Sequence, residues 1–158
     1  MSYLGDGEVS AIRRTPDDVR TLLLRTTTAR FIAPGSLTGG RFGLFQWDMP
    51  ARSGGATPHF HRTFSESFFV ISGSLELYDG RRWASAGAED FLYVPEGGVH
   101  GFRNDADGAA SMLILFAPGP PRERYFEELA ELQASGRRLD DEERRAFLAR
   151  HDQYAVGE

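Results

Sequence analysis

Gly55-Ala-Thr-Pro-His59-Phe-His61-Arg-Thr-Phe-Ser-Glu66-Ser-Phe-Phe-Val-Ile-Ser-Gly73 is the stretch from which the rest of the chain can be read. On a strand, residues two apart project to the same face, so His59 and His61 aim one way. Neutral imidazole is the commonest metal ligand, and two side by side offer two corners of a coordination polyhedron. Arg62 to Ser65 can turn the chain, so that Glu66 enters the next strand and returns a carboxylate to the same point. A third imidazole comes from Pro95-Glu96-Gly97-Gly98-Val99-His100, where the glycine pair can bend the chain before the strand that carries His100. Taken singly these residues are ordinary surface or turn groups. Three of the chain's four histidines fall in these two segments. The fourth, His151, reads as the C-terminal residue of a helix, where the helix dipole favours it.

Outward from that stretch, short β-branched and aromatic runs alternate with Gly and Pro as far as about residue 118, the pattern of an all-β barrel or sandwich. The expected strands are Ser10–Arg14, Arg20–Arg25, Arg30–Ala33, Phe42–Met49, Ser67–Ser72, Leu75–Tyr78, Phe91–Val94, Gly101–Asn104 and Ser111–Ala117. Gly73 and Asp79-Gly80 suit tight turns. Pro118-Gly119-Pro120-Pro121 then breaks the pattern. Tyr125, Leu129 and Leu132 recur at helical spacing, with Phe126 and Ala130 beside them. Ser135-Gly136 is a helix stop. Asp140 and Glu143 form a capping box that opens a second helix carrying Phe147 and Leu148. The division expected is a β-barrel over residues 1–118 and, within the same domain, a helical appendage over 119–158.

The two segments closely resemble the two motifs of the cupin superfamily. The first, Gly-x5-His-x-His-x4-Glu-x6-Gly, fits His59, His61, Glu66 and Gly73 at every spacing, while the leading glycine, Gly54 or Gly55, comes late. The second, Gly-x5-Pro-x-Gly-x2-His-x3-Asn, fits Pro95, Gly97, His100 and Asn104, but Glu89 stands where its opening glycine belongs. The resemblance spans roughly residues 35–118. It implies a cupin jelly-roll β-barrel with two C-terminal α-helices and one divalent transition metal held by His59, His61, Glu66 and His100. Such N/O ligation suits Fe(II) or Mn(II) first, with Ni(II), Co(II) or Zn(II) as alternatives. It also implies a homodimer, with Phe60 and Phe69 on the face opposite the ligands.

Alternation places Phe68 and Val70 on the face of Glu66 and Phe102 on that of His100, an apolar wall for a small-molecule substrate. Phe45 and Trp47 share one face of their strand and Gln46 and Asp48 the other; which pair turns inward is left open. Glu66 and Tyr93 are the candidate catalytic groups, the first as proton acceptor, the second as hydrogen-bond donor. Asn104 is read as fixing backbone. Composition narrows the chemistry further. The chain has 158 residues, no cysteine, and 18 arginines with no lysine, which excludes thiolate ligands and Schiff bases. A net charge of −5 with only short Arg pairs speaks against nucleic acid. No apolar run spans a bilayer and no signal-like start is present, so a cytoplasmic protein is expected. The readings that follow are a mononuclear dioxygenase acting on a small aromatic or enol-type compound, a redox-neutral cyclase, isomerase or decarboxylase, and a non-catalytic small-molecule binder.

Overall fold

Strand β3 (Gly43–Met49) shows how the chain sorts itself: Gly43, Phe45, Trp47 and Met49 are buried, while the residues between them are half exposed. Phe45 and Trp47 therefore face inward and Gln46 and Asp48 outward. The computed structural model describes residues 2–157. A 3-10 turn at Pro16–Asp18 leads into a hairpin, β1 (Thr21–Leu24) and β2 (Thr27–Ala33), and a short helix α1 (Gly35–Thr38) precedes β3. Then follow β4 (His59–Phe60), β5 (Ser65–Ser72), β6 (Ser74–Tyr78), β7 (Trp83–Gly87), β8 (Phe91–Val94), β9 (Gly101–Arg103) and β10 (Ala110–Ala117). Two helices, α2 (Arg122–Ser135) and α3 (Asp141–Arg150), and a last short strand, β11 (Tyr154–Ala155), complete the fold.

The first sheet runs β1-β2-β3-β10-β5-β8, with neighbouring strands antiparallel throughout. Facing it, β7-β6-β9 form a second sheet, and β4 pairs with β11. Bridges at Ser53–Asn104 and His59–His100 join the β4 segment to β9, so the order continues as β7-β6-β9-β4-β11. The layers close over a core that includes Phe45, Phe64, Phe68, Met112, Ile114 and Phe116, each at most 1% exposed. Phe126 of α2 seals one end of it, its ring 4.8 Å from Trp47 and 5.3 Å from Phe45. Tyr125, Phe147 and Leu148 join the same cluster. Among the described residues no helix is long and apolar enough to cross a membrane.

Three segments depart from the sequence reading. Ser10–Arg14 is not a strand: these residues are mostly exposed and have no ladder partner, and Arg14 instead donates to the carbonyls of Phe31 and Ile32. Strand β7, rich in Ala, Ser and Gly, carries little β-propensity and is set by pairing with β6. Residues 151–156 leave the helical region and return to the barrel as β11. Both capping readings hold, with Gly136 left-handed after α2 and the Asp140–Glu143 box opening α3.

Glu89 answers the question raised by the missing motif glycine. Its φ is +72°, so a glutamate has taken a left-handed position. Its amide donates to the Val70 carbonyl at 2.8 Å, which fixes the conformation. A side chain there costs roughly 1–2 kcal/mol, partly offset by the greater unfolded-state freedom of Gly, about 0.5–1 kcal/mol. Glu89→Gly is expected to stabilise the fold by about 0.5–1 kcal/mol, read as a higher urea midpoint with unchanged slope. A lower midpoint would contradict this account of the turn.

Candidate metal centre

The four motif side chains converge. His59 and the residue after β4, His61, project from one strand, and His100 enters at the start of β9, bridged to His59 by paired backbone bonds of 2.9 Å. Glu66 comes across from β5 in the opposite sheet. Their potential ligand atoms all lie within 4.8 Å of one another, and every one of the four is buried. Gly55 permits the approach of this segment to β9, since a Cβ there would stand 2.2 Å from the Phe102 carbonyl oxygen. Gly73 turns the chain at φ +78° from β5 into β6, from one sheet to the other.

Each imidazole is oriented by its Nδ1–H. His59 donates to the Thr57 carbonyl at 2.7 Å, His100 to that of Gly98 at 2.9 Å, and His61 to that of Asp152 at 2.6 Å. For His61 and His100 this turns Nε2 toward Glu66 Oε2, at 2.9 and 2.6 Å. Both nitrogens of both rings thus face oxygen acceptors, whereas a neutral imidazole has one N–H to give. The donor set fits a cation: with Nδ1–H spent on a carbonyl, each Nε2 keeps a lone pair directed at the carboxylate. Metal–nitrogen bonds of about 2.1 Å put adjacent ligands about 3 Å apart, compatible with this cluster.

The charges follow from burial. Burial opposes ionisation of Glu66, but the His100 charge and the hydrogen bonds from His100 and His61 outweigh it and hold the carboxyl well below its ordinary value. Burial likewise opposes a charge on His100, yet Glu66 beside it raises the imidazole above its usual range. His59 is pushed down to about 3 by burial and by the neighbouring His100 charge.

The remaining candidates separate. Phe68 and Phe102 are buried beside the site, with Phe68 5.7 Å from the His100 ring and 5.8 Å from Phe102. Val70 is fully buried one step further along β5. Phe45 and Trp47 pack on Phe126 and belong to the helix-sealed end of the core. Tyr93 is a correction: it pairs with Ser67 and is 58% exposed, on the face opposite Val94 and Glu66, because alternation along β8 turns Val94 inward. Phe60 lies under the β11 strand, stacked on Tyr154 at 5.3 Å. Asn104 fixes backbone, donating to Pro50 and Gly108 carbonyls and accepting from Ala106. His151 is the C-cap of α3 and bonds Glu128. Sequence reasoning missed Phe64, stacked on His61 at 4.3 Å, although its place between His61 and Glu66 could have flagged it. It also missed Asp152 and Arg122, which no local spacing ties to the motifs.

Comparison with known proteins agrees with this geometry. Residues 45–116 match the family model of the cupin domain. The match covers a little under half of the chain, and the fold is that of the cupin jelly roll. It is 25% identical over 119 residues, 75% of its length, to quercetin 2,3-dioxygenase of Bacillus subtilis, and spans 34% of that protein, about a third. Among solved structures it resembles the polyketide cyclase RemF from Streptomyces resistomycificus, with a TM-score of 0.59, 23% identity, and coverage of 68% of this chain and 80% of that one. A predicted oxalate decarboxylase from Thermotoga maritima gives a TM-score of 0.60 at 12% identity, covering 68% of this chain and 99% of the other. The last two likenesses are of fold.

The titrations predict a pH profile for metal-free protein. His59, depressed from 6.5 to about 3, contributes stability above 6.5 that is lost as pH falls toward 3. His100, raised above 6.5, contributes stability below 6.5 that is lost as pH rises through its folded value. Glu66, depressed below 4.5, contributes above 4.5 and loses that contribution as pH falls through its folded value. Stability owed to the cluster should therefore be greatest near pH 6.5. Urea midpoints in the presence of chelator from pH 4.5 to 8.5 test this; Glu66→Gln should flatten the alkaline limb and His59→Asn the acid limb. Unchanged limbs in both variants would refute the assignment.

Proposed function

We propose that this chain is a metal-dependent cupin enzyme in which His59, His61, Glu66 and His100 hold one divalent transition ion, and that it oxygenates a small aromatic or enol-type compound. The observation that carries the proposal is the set of four buried donors, with two imidazole nitrogens and a carboxylate oxygen directed at one point. Fe(II) or Mn(II) is the proposed ion, with Ni(II), Co(II) and Zn(II) compatible with the same donors. Such an ion, when bound, supplies Lewis acidity and, for Fe or Mn, oxygen chemistry at positions the four side chains leave open. The dioxygenase named among the relatives supports an oxygen-dependent reaction over a redox-neutral one.

The residues around the site supply the rest of the reading. Glu66 is the proposed proton acceptor. Tyr93, on the outer face, has no part in it. Phe68 and Phe102 exclude water beside His100 and present rings to a flat substrate, and Val70 extends that wall. Phe45 and Trp47 support it from the helix-sealed end.

Anaerobic reconstitution with Fe(II) or Mn(II), followed by oxygen-electrode measurements with a panel of flavonols and small enols, tests the function. Oxygen consumption matched to product is expected. His59→Ala, His61→Ala and His100→Ala should fold yet lose metal affinity by more than about 100-fold, beyond the loss expected of an outer partner. Turnover without oxygen would replace the dioxygenase reading with a redox-neutral cyclase or isomerase. Ligand binding with no product would leave a binder.

The outer face of the first sheet supports a homodimer. Phe69 pairs with Leu113 on one side and Phe91 on the other, and Leu115 pairs with Leu44. Phe69, Phe91, Leu115 and nearby Ile71 are all more than a third exposed. A contiguous apolar sheet face of this kind marks an interaction surface. Phe69→Lys with Leu115→Lys should convert a dimer to a monomer in light scattering; a monomeric parent chain would remove the proposal.

A further inference from the structure

The C-terminal residues 151–156 lie against the strand that bears His59 and His61. Tyr154 and Ala155 pair with Phe60 and His59, and the Val156 amide donates to the Pro58 carbonyl at 3.0 Å. The grip on His61 is twofold. The Asp152 carbonyl accepts from His61 Nδ1, whereas His59 and His100 donate to carbonyls only two residues away. The Asp152 carboxylate accepts from the Arg62 amide at 2.9 Å, the Thr63 amide at 2.9 Å and the Thr63 hydroxyl at 2.6 Å. Those residues form the turn that connects His61 to Glu66.

Asp152 is itself held in place. Its φ is +54°, a backbone state that a non-glycine residue keeps only where surrounding bonds enforce it. Arg122, at the start of α2 and 5% exposed, supplies two of them: one guanidinium nitrogen donates to the His151 carbonyl at 2.9 Å, another to Gln153 Oε1 at 3.1 Å. Arg62 lies over the Tyr154 ring at 4.2 Å, closing the outer side. A buried guanidinium is costly unless its donors are used; here the two terminal nitrogens brace the residues on either side of Asp152, while Nε is left without a partner among the described residues.

We infer that residues 151–156 form a strap in which Asp152, braced by Arg122, is a positioning residue for the metal centre: its carbonyl fixes the His61 tautomer with Nε2 free for the ion, and its carboxylate fixes the spacing between His61 and Glu66. This inference rests on the metal-centre reading above. Outer partners of metal-bound histidines set ring orientation and basicity, and losing one lowers metal affinity about 10–100-fold.

The test measures Co(II) affinity by competition with a chromophoric chelator, on the full chain, on Asp152→Gly, on Arg122→Met and on a chain ending at Arg150. Glycine keeps the left-handed backbone but removes the three carboxylate bonds. Each variant is expected to bind Co(II) about 10–100-fold more weakly, and Asp152→Asn, which can keep the Arg62 contact, to fall between. Nitrogen-15 NMR of the metal-free proteins should show His61 in mixed tautomers in Arg122→Met and in the shortened chain, with His59 and His100 unmoved. Metal-free urea midpoints identify any variant that fails to fold, and the other variants then carry the comparison. Folded Asp152→Gly and Arg122→Met that bind Co(II) within twofold of the parent, with His61 unaltered in Arg122→Met, would overturn the strap. A parent chain that binds Co(II) no better than His59→Ala would instead overturn the metal centre, and the strap with it.

Discussion

A carboxylate enclosed by protein is tolerable only with positive charge or several donors around it, and Glu66, 4% exposed, is such a group. Its surroundings answer that demand. Two imidazole nitrogens lie within 3 Å of one of its oxygens, and the third imidazole is kept neutral by burial. In metal-free protein the balance comes from the His100 imidazole, whose charged form Glu66 favours, and from the hydrogen bonds to the carboxylate. A divalent ion would supply the same charge from a single point and leave each Nε2 as a ligand. The side chains that make Glu66 affordable without metal are thus the ones that would bind the metal.

The layout of the barrel gives the cluster its mechanical meaning. The three histidines belong to one sheet, through β4, its continuation and the start of β9, and the carboxylate belongs to the other, through β5. Whatever links them, proton or ion, links the two layers. The aromatic residues around them serve the same closure: Phe64 lies flat on His61 and meets Phe116 edge-on at 5.5 Å, which in turn meets Phe45 and Phe126. Ligand strand, core and α2 are one packed unit, so the helices are part of what holds the site rigid.

What could be read in the residues beforehand was what local spacing encodes. His59-x-His61, the Glu66 position and the Gly97-to-His100 turn depend on strand period and turn chemistry, so the cluster was legible, as were the caps of α2 and α3. Strand β7 was not, because Ala84, Ser85 and Ala86 acquire strand structure only from their partners on β6. Tyr93 was misplaced because its hydroxyl suggested chemistry, while the burial of Val94 next to it decides the face. Asp152 was invisible for another reason: its role depends on two helices returning the chain to β4, and no periodicity reports where a tail comes to rest. Glu89 is intermediate. Its position was marked by a departure from the motif, and the structure gives it a left-handed φ, which glycine would supply without strain and glutamate holds under constraint.

Strand β5 couples the interior of the barrel to its surface. Glu66, Phe68 and Val70 point to the site and core, while Phe69 and Ile71 point out onto the apolar face. Because side chains alternate with a period of two, a slip of one residue would exchange these sets, exposing the carboxylate's neighbours and burying its competitors. The register is pinned on both sides, by β10 through Glu66–Phe116 and by β8 through Glu66–Val94. A second copy seated on the outer face would bury Phe69 and Ile71 and add to the energy that resists the slip. Association would then act on the centre without touching it, by holding the strand that delivers Glu66 in the one register where the carboxylate meets the imidazoles.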